Sequence, residues 1–165
     1  SATVAGDRVY AQFLGEDLGE RTFYHGHSYS GNALAAAVGL RHLQLLEEWD
    51  VLANVGERAE QFRDLLAERI APAAGVAEVR QQGLMVGVEL APPAEGRRWG
   101  RRVSAGCVAR GVLIRPLGDV AIVKPPLTVT ADEVERIVAT LAEAIAEVTD
   151  ADAFLHADAD ADAPG

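Results

Sequence analysis

A length of 165 residues suits one ordinary domain or a piece of a larger protein, and a composition of 49% hydrophobic and 24% charged residues excludes a wholly disordered, collagen-like or coiled-coil chain. The formal net charge of −10 argues against nucleic-acid binding, because that binding depends on cationic side chains that neutralise phosphates. The longest apolar run, residues 33–40, is too short to cross a bilayer and the first residues lack a secretory signal, so we expect a cytoplasmic protein without a membrane partner.

The first thirty residues predict little regular structure. Residues 1–4 look like the end of a strand with nothing before it, and residues 7–14 favour a short helix. A polar, glycine-rich loop then covers residues 15–30. Loops of that length are usually functional or disordered.

Two helices follow this loop. Apolar residues at helical intervals predict a helix over residues 31–48, with Ser30 or Asn32 available as its N-terminal cap. A second helix is predicted over residues 55–70, and Pro72 with Gly75 ends it.

The rest of the chain favours a small sheet with helices. Strands are predicted over residues 76–80 and 84–90, the second with one buried face because Leu and Val alternate with other residues. Residues 97–110 favour a helix in which Cys107 lies on the apolar side and is a core residue. Residues 112–115 and 120–123 are expected to pair as a hairpin.

The last predicted helix has the clearest signals. Thr130 and Glu133 form a capping box, and an apolar stripe runs from Val134 to Val148. After it, residues 149–165 are rich in Ala and Asp and contain no Lys or Arg, so we expect a disordered acidic tail.

The most informative segment for chemistry is the sequence His-Gly-His-Ser-Tyr-Ser-Gly-Asn at residues 25–32, a loop that leads into a helix start. This junction offers free backbone N–H groups and the positive end of a helix dipole. Together with the hydroxyls of Ser28 and Ser30, these groups suit a phosphate or carboxylate ligand. A simple capped loop explains the same residues, and the pattern alone leaves both readings open. His25 and His27 lie two apart, which argues against a shared metal ion, and we predict no metal site.

Two single residues are further candidates. Arg115 ends an apolar run, where its guanidinium suits a carboxylate ligand, although an ion pair with Asp119 is an equal alternative. Lys124 is the only lysine, so any Schiff base formed by a lysine of this chain would have to use it, but a lysine at a strand end is expected to point into solvent. The arginines of residues 97–102 are expected to form a solvated face.

Three motifs together resemble the class III, fold-type I aminotransferases that use pyridoxal 5'-phosphate (PLP). They are the loop at residues 25–32, Gln-Gly-Leu-Met-Val-Gly-Val-Glu-Leu at residues 82–90, and Gly-Val-Leu-Ile-Arg-Pro-Leu-Gly-Asp at residues 111–119 followed by a Pro pair. The resemblance implies a mixed α/β and α+β fold. Residues 1–50 would be the end of the large PLP-binding domain, residues 51–148 the complete small C-terminal domain with its connecting helix, and residues 149–165 the tail.

The resemblance also implies roles for particular residues. Gly26, His27 and Ser28 would contact the phosphate of the PLP bound by the neighbouring subunit of a homodimer, and Arg115 would bind the carboxylate of the substrate. The Schiff-base lysine is expected before Ser1, which leaves no catalytic residue within the chain and predicts that the chain alone is inactive.

The implied reaction transfers an amino group from S-adenosylmethionine to 8-amino-7-oxononanoate, a step of biotin biosynthesis. Two alternatives stay open: a family member acting on another ω-amino acid, and a non-catalytic dimerisation or binding module of the same fold.

Overall fold

The structure is a computed structural model that describes residues 2–161, and the side chains of residues 2–153. The chain divides into two compact units, Ser1–Trp49 and Asp50–Gly165, which we describe separately. None of the helices within the described residues is long and apolar enough to span a membrane.

The first unit contains two helical segments and a long loop. Helix α1 spans Asp7–Tyr10 and continues into a 3₁₀ turn over Ala11–Phe13, as the sequence predicted. Helix α2 spans Ala33–Glu48, and its cap is Asn32, whose Oδ1 accepts a hydrogen bond from the Ala35 N–H at 2.9 Å. The expected strand end is wrong for residues 2–4, which have no strand partner among the described residues, and Ser1 lies outside them.

No described residue of the first unit is buried. Leu34 and Val38, which lie on one side of α2, are 75% and 63% exposed, and the aromatic rings of Phe23, Tyr24 and Tyr29 are also exposed. Contiguous exposed apolar surface of this kind is typical of a region that packs against further protein.

The second unit is a four-stranded antiparallel sheet with three helices. Its elements are, in chain order, α3 (Val51–Arg69), β1 (Val76–Gln82), β2 (Met85–Leu90), α4 (Trp99–Ala109), β3 (Arg115–Leu117), β4 (Val120–Val123) and α5 (Ala131–Ala161). The strand order is β1-β2-β4-β3.

The core of the second unit lies on one side of the sheet. Alternation along β2 buries Leu84, Val86, Val88 and Leu90, as predicted, and these residues pack with apolar side chains of α3, α4 and α5. Burial of each large side chain stabilises the fold by about 1.5–3 kcal/mol. The other side of the sheet is not covered in this way, and we call its residues Gly87, Glu89, Arg115, Leu117, Val120 and Ile122 the open face.

The predicted hairpin forms, but its first strand starts at Arg115 rather than at Val112. The Val112 N–H donates to the Cys107 carbonyl at 2.9 Å, and the Ile114 carbonyl accepts from the Ser104 hydroxyl at 3.0 Å. The segment before Arg115 therefore hydrogen-bonds to α4 instead of to a neighbouring strand.

The expected disordered tail is wrong for residues 149–161, which continue α5; residues 162–165 lie outside the described residues. The capping box does start this helix, because Glu133 accepts from the Thr130 N–H at 2.8 Å and Thr130 Oγ1 accepts from the Glu133 N–H at 3.3 Å. The Thr130 N–H also lowers the pKa of Glu133.

The reason for the error is Asp152, which the sequence suggested was solvent-exposed. Its side chain is 2% exposed and accepts hydrogen bonds from Trp99 Nε1 and Arg102 Nη1, both at 2.7 Å. These hydrogen bonds, with Trp99 first in importance, lower the pKa of the Asp152 carboxyl. A buried and paired acid thus fixes α5 against α4.

We predict that Asp152→Asn lowers the free energy of unfolding by about 2 kcal/mol at pH 7, because hydrogen bonds to a charged group are lost. The folded-state pKa lies below the unfolded value of about 3.9, so this stabilisation is present above pH ~4 and is lost as the pH falls through the folded-state pKa.

Urea unfolding of the wild type and the variant between pH 7 and pH 2 tests this, with the exposed neighbour Asp150→Asn as the matched control. The prediction is contradicted if the wild type and Asp152→Asn have the same free energy of unfolding at pH 7. It is also contradicted if their difference stays constant down to pH 2.

Candidate functional site

The loop before α2 presents three consecutive backbone N–H groups. The N–H groups of His25 and Ser30 donate within the loop, to the carbonyls of Phe23 at 2.8 Å and His27 at 2.9 Å. Between them, the N–H groups of residues 26–28 have no hydrogen-bond partner among the described residues, and all three residues are exposed. A carbon atom built on Gly26 in the Cβ position meets nothing within 4 Å, so the approach to this backbone is open.

The two histidines of this loop make local contacts and do not face a common ion. His27 Nδ1 accepts a hydrogen bond from the Tyr29 N–H at 3.2 Å, which fixes its ring. The His25 ring stacks on Phe23 with 5.3 Å between centroids. Within the described part of the chain, no three His, Cys, Asp or Glu side chains are placed to hold a metal ion.

This donor set fits a phosphate group. Three adjacent N–H groups and the exposed hydroxyl of Ser28, close to the start of a helix, supply donors and a positive dipole end for an anion. Asn32 caps α2, as the sequence analysis offered, so the capped loop is present in the structure. This cap does not use the N–H groups of residues 26–28, so an anion site at Gly26, His27 and Ser28 is compatible with the capped loop.

Arg115 belongs to the second unit, at the start of the edge strand β3. Its side chain is exposed, and it has no ion-pair partner within 4 Å among the described residues. The described residues show no ion pair between Arg115 and Asp119, whose Oδ1 accepts a hydrogen bond from the Gly100 N–H at 2.9 Å. The guanidinium of Arg115 is left available for an external anion.

The register of the sheet places apolar residues beside Arg115. Arg115 pairs with Ile122 on β4, and Ile122 pairs with Gly87 on β2, so the three residues form one row across the open face. In the next row Leu117, which is 72% exposed, pairs with Val120, and Val120 pairs with Glu89. The Glu89 carboxylate forms an ion pair with Arg80 at 2.6 Å, so the apolar part of this row is Leu117 and Val120. A cationic fork next to a shallow apolar surface suits a ligand that joins a carboxylate to an aliphatic chain.

The sequence reading identified Arg115 but missed this apolar surface. The available signal was that residues 120–123 are all apolar, which puts apolar side chains on both sides of the strand. The structure shows that Ala121 and Val123 are buried and that Val120 and Ile122 are half-buried on the other side. The partner strand was needed to show which residues of β2 and β3 share that side.

Two other reactive residue types are unsuited to catalysis here. Lys124 follows β4 and is exposed, as expected for a lysine at a strand end. Cys107 is fully buried, and burial raises the pKa of its thiol to about 11 while Arg110 opposes this change. A thiol with that pKa is almost entirely protonated at neutral pH and is a poor nucleophile.

The expected solvated arginine face at the start of α4 is partly wrong. Arg98 and Arg101 are exposed, but Arg102 donates to Asp152 and Arg97 lies 3.9 Å from the same carboxylate. These two arginines fix α5 rather than face only solvent.

Comparison with known proteins relates most of this chain to one family. The model of the class-III aminotransferases matches residues 1–145. The adenosylmethionine-8-amino-7-oxononanoate aminotransferase of Nitratidesulfovibrio vulgaris is 40% identical over 157 residues, which cover 91% of this chain and 29% of that protein. The diaminobutyrate–2-oxoglutarate transaminase of Halomonas elongata is 34% identical over 161 residues, covering 92% of this chain and 34% of that protein.

Solved structures give the same result. The crystal structure of adenosylmethionine-8-amino-7-oxononanoate aminotransferase from Methanocaldococcus jannaschii superposes with a TM-score of 0.77 at 35% identity, covering 86% of this chain and 34% of that one. A PLP-bound amine transaminase from an uncultivated Pseudomonas species has a TM-score of 0.68 at 34% identity, covering 77% and 30% of the two chains. This chain spans about a third of the length of the curated relatives it matches.

We predict that Cys107 does not react with a thiol reagent such as dithionitrobenzoate at pH 8 in the folded chain and reacts at once in 6 M guanidinium chloride. The reason is its burial and its raised pKa of about 11. Absorbance at 412 nm measures the reaction, and rapid labelling of the folded protein would contradict the buried placement of this residue.

Proposed function

The chain belongs to the class-III aminotransferase family, and from this membership we propose that it is the C-terminal part of an aminotransferase that moves an amino group from S-adenosylmethionine to 8-amino-7-oxononanoate. The cofactor of the family is PLP, which when bound supplies the carbonyl group and electron sink that amino-group transfer requires. The observation that carries the proposal is the unpaired guanidinium of Arg115 on the open face.

Arg115 binds the carboxylate of the oxo acid in this proposal. Its planar fork makes two parallel hydrogen bonds to a carboxylate, which orient the bound molecule as well as attract it. The aliphatic chain of the oxo acid then lies against Ile122, Leu117 and Val120, where apolar contact adds binding energy.

The loop of Gly26, His27 and Ser28 holds the cofactor phosphate. Its free N–H groups and the Ser28 hydroxyl donate to phosphate oxygens, and the ring of His27 keeps the backbone in place through its contact with the Tyr29 N–H. We assign this phosphate to the PLP of the neighbouring subunit in a homodimer, which would also cover part of the exposed apolar surface of the first unit.

The proposal gives this chain binding roles and leaves proton transfer to residues elsewhere in the protein. Lys124 is exposed at the end of β4, and Cys107 is buried and protonated. As the resemblance to the family implies, the proposal assigns the lysine that carries the cofactor to a segment before Ser1, and a cytoplasmic homodimer is part of the same proposal.

A second candidate function is an aminotransferase of the same family that acts on another ω-amino acid. The observation that favours it is the 34% identity to the diaminobutyrate–2-oxoglutarate transaminase over 92% of this chain. A carboxylate-binding arginine is compatible with either substrate, so the choice depends on which amino acceptor the full-length protein uses.

We predict that Arg115→Ala in the full-length protein lowers kcat/KM for 8-amino-7-oxononanoate about 100-fold, or ~3 kcal/mol, because a bidentate charged interaction is lost. Arg115→Lys keeps the charge but not the fork and is expected to lose about tenfold. For 2-aminononan-3-one, in which a methyl group replaces the carboxylate, neither substitution has an effect.

Steady-state assays with both acceptors measure this, and Arg63→Ala, which removes an exposed arginine of α3, is the control. If Arg115→Ala leaves the preference for the acid over the methyl compound unchanged, Arg115 does not bind the carboxylate. Turnover of another ω-amino acid in preference to this substrate pair would favour the second candidate.

A second prediction concerns the loop. Ser28→Ala in the full-length protein is expected to weaken PLP binding about tenfold, because one hydrogen bond to a charged phosphate is lost, while Ser28→Thr keeps the hydroxyl and binds normally. Fluorescence titration of the apoprotein with PLP gives the Kd. Ser30→Ala is the control. An equal loss of PLP affinity in both alanine variants would contradict a specific contact between the Ser28 hydroxyl and the phosphate.

A further inference from the structure

Arg115 lies on a strand that its own ladder holds weakly. Strand β3 has three residues, Arg115–Leu117, and pairs only with β4 among the described strands. A short edge strand with few ladder hydrogen bonds does not by itself keep a side chain in one place. Other contacts must fix the backbone on both sides of Arg115.

One face of α4 provides those contacts. The buried Ser104 hydroxyl donates to the carbonyl of Ile114, the residue directly before Arg115, at 3.0 Å. One helical turn earlier, the Gly100 N–H donates to Oδ1 of Asp119, which follows the turn after β3, at 2.9 Å. Because Gly100 and Ser104 are four residues apart, both contacts come from the same side of the helix.

The contact at Gly100 is unusually close. A carbon atom in the Cβ position there would lie 2.2 Å from the Gly118 carbonyl oxygen, so only glycine allows this approach between α4 and the hairpin turn. The carbonyl of Asp119 in turn accepts from the Leu90 N–H of β2 at 3.0 Å. Asp119 thus joins the hairpin to α4 through its side chain and to β2 through its backbone.

The same contacts hold the carboxylate of Asp119 against α4 rather than against Arg115. The carboxylate of Asp119 is four residues from Arg115 and would be its nearest partner in sequence, but it is held at the N-terminus of α4, where a negative charge is favourable. This arrangement keeps the guanidinium unpaired while its backbone stays fixed.

We propose that Asp119 and Ser104 are positioning residues for Arg115, which hold it ready to bind the substrate carboxylate without touching the substrate themselves. The inference rests on the proposed function, because it assumes that Arg115 binds that carboxylate. Preorganisation lowers the cost of ordering a binding group, so its loss weakens recognition of the carboxylate rather than the chemical step.

The test uses the full-length protein and measures carboxylate preference, the ratio of kcat/KM for 8-amino-7-oxononanoate to that for 2-aminononan-3-one. Asp119→Ala and Ser104→Ala are each expected to lower this ratio about fivefold through a higher KM for the acid, with kcat and the methyl compound unaffected. Asp119→Asn and Ser104→Thr keep an acceptor or a hydroxyl at these positions and are expected to restore the ratio.

The matched control is Thr130→Ala, which removes a cap of similar strength from α5. It is expected to lower Tm by about as much as Asp119→Ala and to leave the ratio unchanged. If Asp119→Ala does not fold, the Ser104 pair makes the same test.

The outcomes separate the two proposals. If Arg115→Ala abolishes the carboxylate preference but Asp119→Ala and Ser104→Ala reduce both acceptors equally or change nothing, only the positioning role is overturned. The same conclusion follows if Asp119→Asn is as impaired as Asp119→Ala. If Arg115→Ala itself leaves the preference intact, the proposed function fails and the positioning role fails with it.

Discussion

The second unit buries one side of its four-stranded sheet and leaves the other side open, and this constraint determines where a ligand can bind. The alternation of β2 sends Leu84, Val86 and Val88 into a core shared with three helices. Every residue between them must then face the other way, together with its partners on β4 and β3. Arg115 lies on that side because its strand partner Ile122 does, so the core that stabilises the sheet also exposes the guanidinium.

The two units differ in burial and in how their backbone groups are hydrogen-bonded. In the second unit, burial and hydrogen bonds such as that from Ser104 to Ile114 fix the backbone around a charged side chain. In the first unit no described residue is buried, and the loop before α2 presents unpaired N–H groups instead. Both arrangements supply donors for an anion, Lys124 is exposed at the end of β4, and Cys107 is buried. The proposal of a binding segment whose nucleophile lies elsewhere in the protein rests on the family membership and is compatible with these placements.

Most helices and strands were predictable because their signals are local. The capping box of Thr130 and Glu133, the stripe along α5 and the alternation of β2 each depend on neighbouring residues, and each prediction is confirmed. The tail was mispredicted because a count of acids does not reveal that Asp152 is buried against Trp99 and Arg102, fifty residues earlier in the chain. The start of β3 was mispredicted for a similar reason, since α4 takes the hydrogen bonds that a longer strand would use.

In the candidate site, too, some features could be predicted from local sequence and others depend on tertiary contacts. Arg115 and the loop of residues 26–28 are candidates that residue patterns proposed with alternatives and that the family resemblance favoured. Whether Arg115 pairs with Asp119 depends on the position of the Gly100 N–H, which only tertiary structure reveals. The apolar surface beside Arg115 likewise depends on strand register, and the close approach at Gly100 on the contact between a helix and a turn.

The most direct test is a crystal structure of the full-length protein with PLP and the oxo acid bound. The account predicts that the substrate carboxylate accepts two hydrogen bonds from Arg115 at 2.7–2.9 Å and that the N–H groups of residues 26–28 contact a cofactor phosphate. A carboxylate bound by other residues, with Arg115 still facing solvent, would contradict it.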